Sequence, residues 1–366
     1  MVSSKSKSTV LIIDDSALVR QMLTEILNND PRLEVVGVAS DPLVAREKIK
    51  KLHPDVLTLD VEMPKMDGIT FLSNLMRLHP MPVIMVSSLT EKGADVTLQA
   101  LEIGAIDFVA KPKIDVQQGL RDYSQELCDK VASAAGAKII DAWRPTANTS
   151  TATIESVEKH STDAVLGKTA PRKLKTTDKI IAIGASTGGT EAIKEVLMRM
   201  PADSPGIVIT QHIPEAFSGP FAQRMDKNCA MTVYEASDGQ QVLPGHVYIA
   251  PGDQHMIIER SGARYICRLN DGPAVNRHRP SVNVMFRSVA QNVGANAIGV
   301  MLTGMGDDGA EGMKEMHDNG AHTIAQDEKT SVVWGMPGEA VKHGGVDEVV
   351  SLYNITNKLI TLASEQ

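Results

Sequence analysis

Short apolar runs that alternate with helical patterns occur twice along this chain, and they restrict it to parallel α/β architecture. The first set is Thr9–Asp15, Glu34–Ala39, Asp55–Asp60, Pro82–Ser87 and Asp107–Ala110. Between the first two runs, Val19, Met22, Leu23, Ile26 and Leu27 recur at helical spacing, with Ser16 as an N-cap and Asp30-Pro31 as a stop. From Lys179 the pattern resumes with Ile180–Ile183, Gly206–Thr210, Val247–Ala250 and Ala297–Thr303. Strands joined through helices form βαβ units and parallel sheets. The expectation is two doubly wound α/β domains, one with a parallel five-stranded sheet over residues 1–130 and a mainly parallel one over 178–366.

Residues 131–177 are read as a linker. From 141 onward they have little periodicity, many Thr, Ser and Ala, room for one short helix, and a closing basic cluster of Lys168, Arg172, Lys173 and Lys175. That cluster is a solvated linker end in the simplest reading and a nucleic-acid or nuclear address in the alternative. The whole chain argues against nucleic acid: net charge is −8, nearly all of it in the second half, and aromatics are only 3%. Three scattered cysteines, Cys128, Cys229 and Cys267, suit a reducing compartment. The start runs straight into an apolar strand, and no run approaches the ~18–20 apolar residues of a membrane span. A cytoplasmic protein without membrane insertion is expected.

Five positions in the first domain fall at strand ends: Asp14 and Asp15, Asp60, Ser87 and Lys111. In an open parallel sheet the carboxyl ends share one edge, where ligands bind. Three carboxylates there repel unless a divalent cation joins them, and Mg²⁺ suits carboxylate and phosphate oxygens. A lysine and a hydroxyl alongside would hold a phosphoryl group, and an aspartate can itself be the nucleophile. Any one of these aspartates alone is more readily a turn former or helix cap. As a set they resemble a response-regulator receiver domain over residues 9–130, which implies a flavodoxin-like fold. By that resemblance Asp60 is the phosphoacceptor, Asp14 and Asp15 complete the metal site, and Ser87, Lys111 and Phe108 sense the phosphoryl group. The run Met63–Gly68 matches the loop after the phosphoacceptor, while Ser87 stands where many receivers carry threonine.

The second domain opens with a strand, then Gly184-Ala185-Ser186-Thr187-Gly188-Gly189, then a helix bearing Ile193, Val196, Leu197 and Met200 on one face. Ser186 occupies the place where a dinucleotide fingerprint needs glycine, and no Gly-Lys-Ser/Thr follows to make a P-loop. The turn does fit Gly-x-Ser-x-Gly, a nucleophile elbow, or an ordinary strand–helix turn if taken alone. A serine nucleophile needs a base. His212 directly follows a strand and should share the same sheet edge; His255 and His278 are the runners-up. Asp307 or Asp308, in the glycine-dense loop Gly304–Gly309, could orient that base, and the spacing does not choose between them.

The order Ser, His, Asp differs from that of α/β-hydrolases. Residues 178–360 resemble the catalytic domain of chemotaxis protein-glutamate methylesterases. The carriers are GASTGG, TQHIP (Thr210–Pro214), HRPSV (His278–Val282) and LTGMGDDG (Leu302–Gly309). The resemblance implies a phosphorylation-regulated hydrolase with a Ser186, His212, Asp308 triad and oxyanion donors at Thr187 and Met305. It further implies that the unphosphorylated receiver blocks the catalytic edge. Many relatives carry Asn where Asp307 stands. Implied partners are methyl-accepting chemoreceptors as substrate and a chemotaxis histidine kinase as phosphodonor; the esterase chemistry implies no cofactor. Arg277, His278 and Arg279 could bind receptor carboxylates or be tied up in internal pairing.

Overall fold

The computed structural model describes residues 7–63, 67–88, 90–111, 117–137, 160–168 and 179–364. It divides into two compact units, Met1–Thr149 and Ser150–Gln366.

In the first unit, strands β1 (Ser8–Ile13), β2 (Leu33–Ala39), β3 (Val56–Asp60), β4 (Val83–Ser87) and β5 (Asp107–Ala110) alternate with helices α1 (Ala17–Asn28), α2 (Pro42–Leu52), α3 (Gly68–Leu78), α4 (Glu91–Ile103) and α5 (Gln117–Ala135). The strands form one parallel sheet in the order β2-β1-β3-β4-β5, the flavodoxin-like arrangement. Ser16 does cap α1, its side chain accepting from Val19 N–H. Every residue of β3 and β4 is buried, as expected of strands covered by helices on both faces. Their carboxyl ends deliver Asp60 and Ser87 to one edge.

The main sheet of the second unit is built from seven strands, β6 (Ile180–Ala185), β7 (Gly206–Gln211), β8 (Thr232–Glu235), β9 (His246–Ile249), β12 (Ala297–Met301), β13 (His322–Gln326) and β14 (Glu348–Val350). They form one sheet in the order β14-β13-β12-β6-β7-β9-β8, and every pairing is parallel. The antiparallel component is separate, a hairpin of β10 (His255–Ser261) and β11 (Arg264–Asn270). Helices α6 (Gly189–Leu197), α7 (Glu215–Asn228), α8 (Val282–Asn292), α9 (Ala310–Asp318), α10 (Met336–Lys342) and α11 (Leu352–Ser364) complete the unit. The chain leaves β6 toward β7 on one side and later returns on the other side as β12. That reversal is the switch point of an open α/β sheet, where sites form.

Two boundaries differ from the sequence reading. Helix α5 runs to Ala135, five residues past the expected end of the first domain, because its apolar face, with Leu127 and Val131, is buried on the sheet side. Residues 160–168, read as linker, are folded onto the second unit with a short 3-10 turn at Thr162–Ala164. Pro64, Lys65 and Met66 of the loop after Asp60, and Arg172, Lys173 and Lys175 of the basic cluster, lie outside the described residues.

Candidate active site

Strands β12, β6 and β7 are neighbours, in register at Met301–Gly184 and Ala185–Gln211. Adjacent strands lie about 4.8 Å apart, so residues just past their ends are brought side by side. The ladder continues beyond the strands. Ser186 N–H donates to Thr303 O at 3.1 Å, and His212 N–H donates to Ala185 O at 3.2 Å. These bonds fix both backbones before any side chain is considered.

The side chains then connect. His212 Nδ1 lies 3.1 Å from Ser186 Oγ, and His212 Nε2 lies 2.8 Å from Asp308 Oδ2. An ionised carboxylate only accepts, so Nε2 carries the proton and Nδ1 offers its lone pair to the serine hydroxyl. The ring is used in the opposite sense from the familiar serine-protease arrangement, with the same chemical consequence. Ser186 is buried, with 7% of its surface exposed.

Asp308 is buried and takes up donors on both oxygens. Oδ2 accepts from Val282 N–H at 2.7 Å, while Oδ1 accepts from Ser281 Oγ at 2.8 Å, Asn283 N–H at 3.3 Å and Asn276 Nδ2 at 3.3 Å. The carboxylate therefore sits at the N-terminus of α8, where backbone N–H groups and the helix dipole favour an anion. Burial pushes its pKa up, but the hydrogen bond and charge of His212, with His278 and Ser281, hold it down to about 2. A depressed carboxylate stabilises the fold above its unfolded value near 3.8 and loses that contribution as pH falls through about 2. We expect about 2 kcal/mol of stability to disappear over this acid window. Urea unfolding from pH 5 to pH 2.5 checks this: the wild type should lose more than Asp308→Asn, and equal losses would contradict it.

Of the two aspartates left open by spacing, Asp308 faces His212, whereas Asp307 is half-buried and its carbonyl accepts from Ala310 N–H. The runner-up bases are placed elsewhere. His255 is fully buried, donating through Nε2 to Pro273 O and accepting from Ser281 N–H through Nδ1. Burial lowers its pKa and keeps it neutral, so it braces the start of α8. His278 stacks on His212, ring centroids 3.6 Å apart and planes 11° from parallel.

Thr187 is buried and Met305 half-buried, each one residue beyond a pinned position: Ser186 N–H bonds Thr303 O, and Gly304 N–H bonds Val333 O. Gly304 allows the two loops to meet. A Cβ there would lie 2.3 Å from Met336 Sδ and 3.0 Å from Ser186 Cβ, so the methionine side chain would have to move and the serine would be crowded.

In the first unit Asp14 and Asp60 are buried and Asp15 is exposed, with one oxygen from each within 4.8 Å of the others. Asp14 Oδ1 accepts from Ser16 N–H and Asp60 Oδ1 from Glu62 N–H. The two Oδ2 atoms face the Lys111 ammonium, at 3.5 and 2.8 Å. Burial raises the Asp60 carboxyl to about 6; Lys111 opposes the shift and the Asp14 charge adds to it. An all-oxygen cluster of this kind, crowded and only partly neutralised, fits a hard divalent cation such as Mg²⁺. Ser87 Oγ currently donates toward Gly93 O at 3.3 Å, and Phe108 is buried beneath Lys130.

Comparison with known proteins agrees with both units. The CheB methylesterase family matches residues 181–359, and the response regulator receiver domain family matches residues 10–120. A protein-glutamate methylesterase/protein-glutamine glutaminase of Hydrogenovibrio crunogenus is 60% identical over 98% of this chain and 99% of its own. The chain belongs to this methylesterase/glutaminase family. A relative of the same name from Pectobacterium atrosepticum is 55% identical over 98% of both chains. The solved Thermotoga maritima CheB methylesterase catalytic domain aligns with a TM-score of 0.50 at 38% identity, covering 50% of this chain and 98% of that one.

Within the methylesterase domain, Arg279 takes the internal pairing that the sequence left open: its guanidinium holds Asp253 at 2.7 Å and the carbonyls of Asp271 and Gly272 at 3.0 Å. Arg277 is exposed. Sequence reasoning also missed the hydrogen-bonding roles of Ser281, Val282, Asn283 and Asn276 at Asp308. For Ser281, Val282 and Asn283 the signal was present in the motif HRPSVN, which places a serine N-cap and a helix start shortly after His278. Among the described residues, no helix of this family member is long and apolar enough to cross a membrane.

Proposed function

We propose that this chain hydrolyses γ-methyl esters on glutamate side chains of methyl-accepting chemoreceptors, and deamidates glutamine side chains at such sites. The hydrogen-bonded chain from Ser186 through His212 to Asp308 carries this reading. Ser186 Oγ attacks the γ-carbonyl carbon as His212 Nδ1 takes its proton. Asp308 holds the tautomer and stabilises the imidazolium. Backbone N–H groups of Thr187 and Met305 receive the developing oxyanion, and each such donor is worth about 3–4 kcal/mol of barrier. The carbonyl–oxygen bond to the methoxy group breaks, and His212 delivers the proton that makes methanol. Water, deprotonated by His212, then attacks the acyl-enzyme and releases the glutamate carboxylate and Ser186. With glutamine the leaving group is ammonia and the remaining steps are the same.

The receiver regulates this hydrolase, which acts in the cytoplasm in tuning chemotactic adaptation. Asp60 accepts a phosphoryl group from a chemotaxis histidine kinase. Asp14, Asp15 and Asp60 would hold Mg²⁺ beside it, supplying neutralisation of the phosphoryl charge. Lys111 and Ser87 then pair with the phosphoryl oxygens, and the Ser87/Phe108 face repacks. Methanol release from methylated receptor, with and without a small phosphodonor and Mg²⁺, tests this. The wild type should be stimulated, while Asp60→Asn should neither take up phosphoryl nor respond. Equal stimulation of both would refute control through Asp60.

A further inference from the structure

Residues 160–168 lie in the stretch whose composition reads as linker, yet they complete a buried site in the hydrolase. Arg287 on α8 is 2% exposed. Its Nε and Nη2 grip Glu315 of α9 at 2.7 to 3.1 Å, which leaves the other edge of the guanidinium to be satisfied. Asp163 Oδ1 at 2.6 Å and Leu166 O at 3.0 Å satisfy it, both accepting from Nη1. Gln291 Nε2 donates to Gly167 O at 3.0 Å and fastens the same segment. A buried guanidinium is costly unless its donors are met, so the segment is required at this place.

The near end of the segment reaches the triad. His160 O accepts from Asn276 N–H at 3.2 Å. Asn276 and Arg277 both adopt left-handed backbone, φ 50° and 70°, in a turn closed by reciprocal bonds between Val275 and His278. Two consecutive non-glycine residues in that region are strained and persist only where their surroundings hold them. The turn presents Asn276 Nδ2 to Asp308 Oδ1 and lays the His278 ring on His212.

We infer that residues 160–168 are a positioning arm of the hydrolase, clamped by Arg287 and holding the Val275–His278 turn against Asp308 and His212. This rests on the triad reading above. Asp163 and Asn276 are its positioning residues; neither is assigned contact with the reacting ester.

The test uses the full chain and methanol release, with melting temperatures measured alongside and rates taken well below them. Asp163 has a largely exposed side chain, so Asp163→Ala should fold. Its kcat should fall about three- to tenfold with KM within about twofold, the scale of one lost positioning hydrogen bond. Asp163→Asn keeps an oxygen acceptor for Arg287 and should retain most of the turnover. Asn276→Ala should lower kcat similarly, and the double variant should fall by less than the product of the two, because both act through one turn. Unchanged kcat in Asp163→Ala, a loss confined to KM, or independent effects in the double variant would overturn the inference while leaving the triad intact. Wild-type turnover in Ser186→Ala would instead remove the triad, and the arm with it.

Discussion

Replacing Ser186 with alanine should lower methanol release from methylated receptor by about 10⁴-fold or more, at little cost in stability. The size follows from the site. His212 Nδ1 has the Ser186 hydroxyl at 3.1 Å, and without it no nucleophile is activated at this site. The oxyanion donors and substrate binding survive, so a small residual rate over uncatalysed hydrolysis should persist. Thermal stability should be nearly unchanged, because alanine fits inside the space that serine occupies. A loss of less than tenfold would mean that another group attacks the ester.

Asp308→Asn should cost about 10⁴ in kcat, because an amide cannot play the part of this carboxylate. Asp308 accepts on both oxygens from His212, Ser281, Val282, Asn283 and Asn276. An asparagine must turn its NH₂ toward one of these sets. Facing His212, it donates to Nε2 and forces the proton onto Nδ1, where it can no longer accept from Ser186. In the Oδ1 position instead, it opposes the Asn283 backbone N–H and the Asn276 side-chain amide and disturbs the helix start. Either way the imidazolium that forms during attack loses its counter-charge. Asp307→Asn, one residue away, should stay within about threefold of wild type, since Asp307 does not face the histidine. Initial rates for the pair measure this contrast; equal losses would mean the loop is sensitive as a whole and not through the Asp308 carboxylate.

The parts of this protein that sequence made legible are those buried on both faces. Strands β3, β4, β6 and β7 read as continuous apolar runs because helices cover them above and below. Strands β8, β10, β11 and β14 did not announce themselves. They are short or partly exposed, as in Thr232–Glu235 at the sheet edge and the polar-rich hairpin, so their alternation is diluted by charged and polar residues. Ser186 and His212 could be placed because each directly follows a strand of the same sheet, and a parallel sheet aligns its carboxyl ends.

The choice between Asp307 and Asp308 could not be made from spacing. It depends on the left-handed glycines Gly306 and Gly309, which set the direction in which each side chain leaves the loop. His278 stacking on His212, and Asn276 reaching Asp308, depend on a strained turn formed by residues that ordinarily avoid that backbone region. The arm at 160–168 was hidden for another reason. A composition rich in Ser, Thr and Ala looks like linker even where a single aspartate completes the pairing of a buried arginine.

One hydroxyl, Ser186 Oγ, should form the covalent intermediate, and mass spectrometry of the intact chain and its peptides after treatment with a serine-directed phosphonylating reagent checks this. One adduct should appear on the peptide containing Ser186, in step with the loss of methanol release, and should be absent from Ser186→Ala and slowed in His212→Ala. Inactivation with the adduct on a different residue, or full inactivation with no adduct at Ser186, would contradict it.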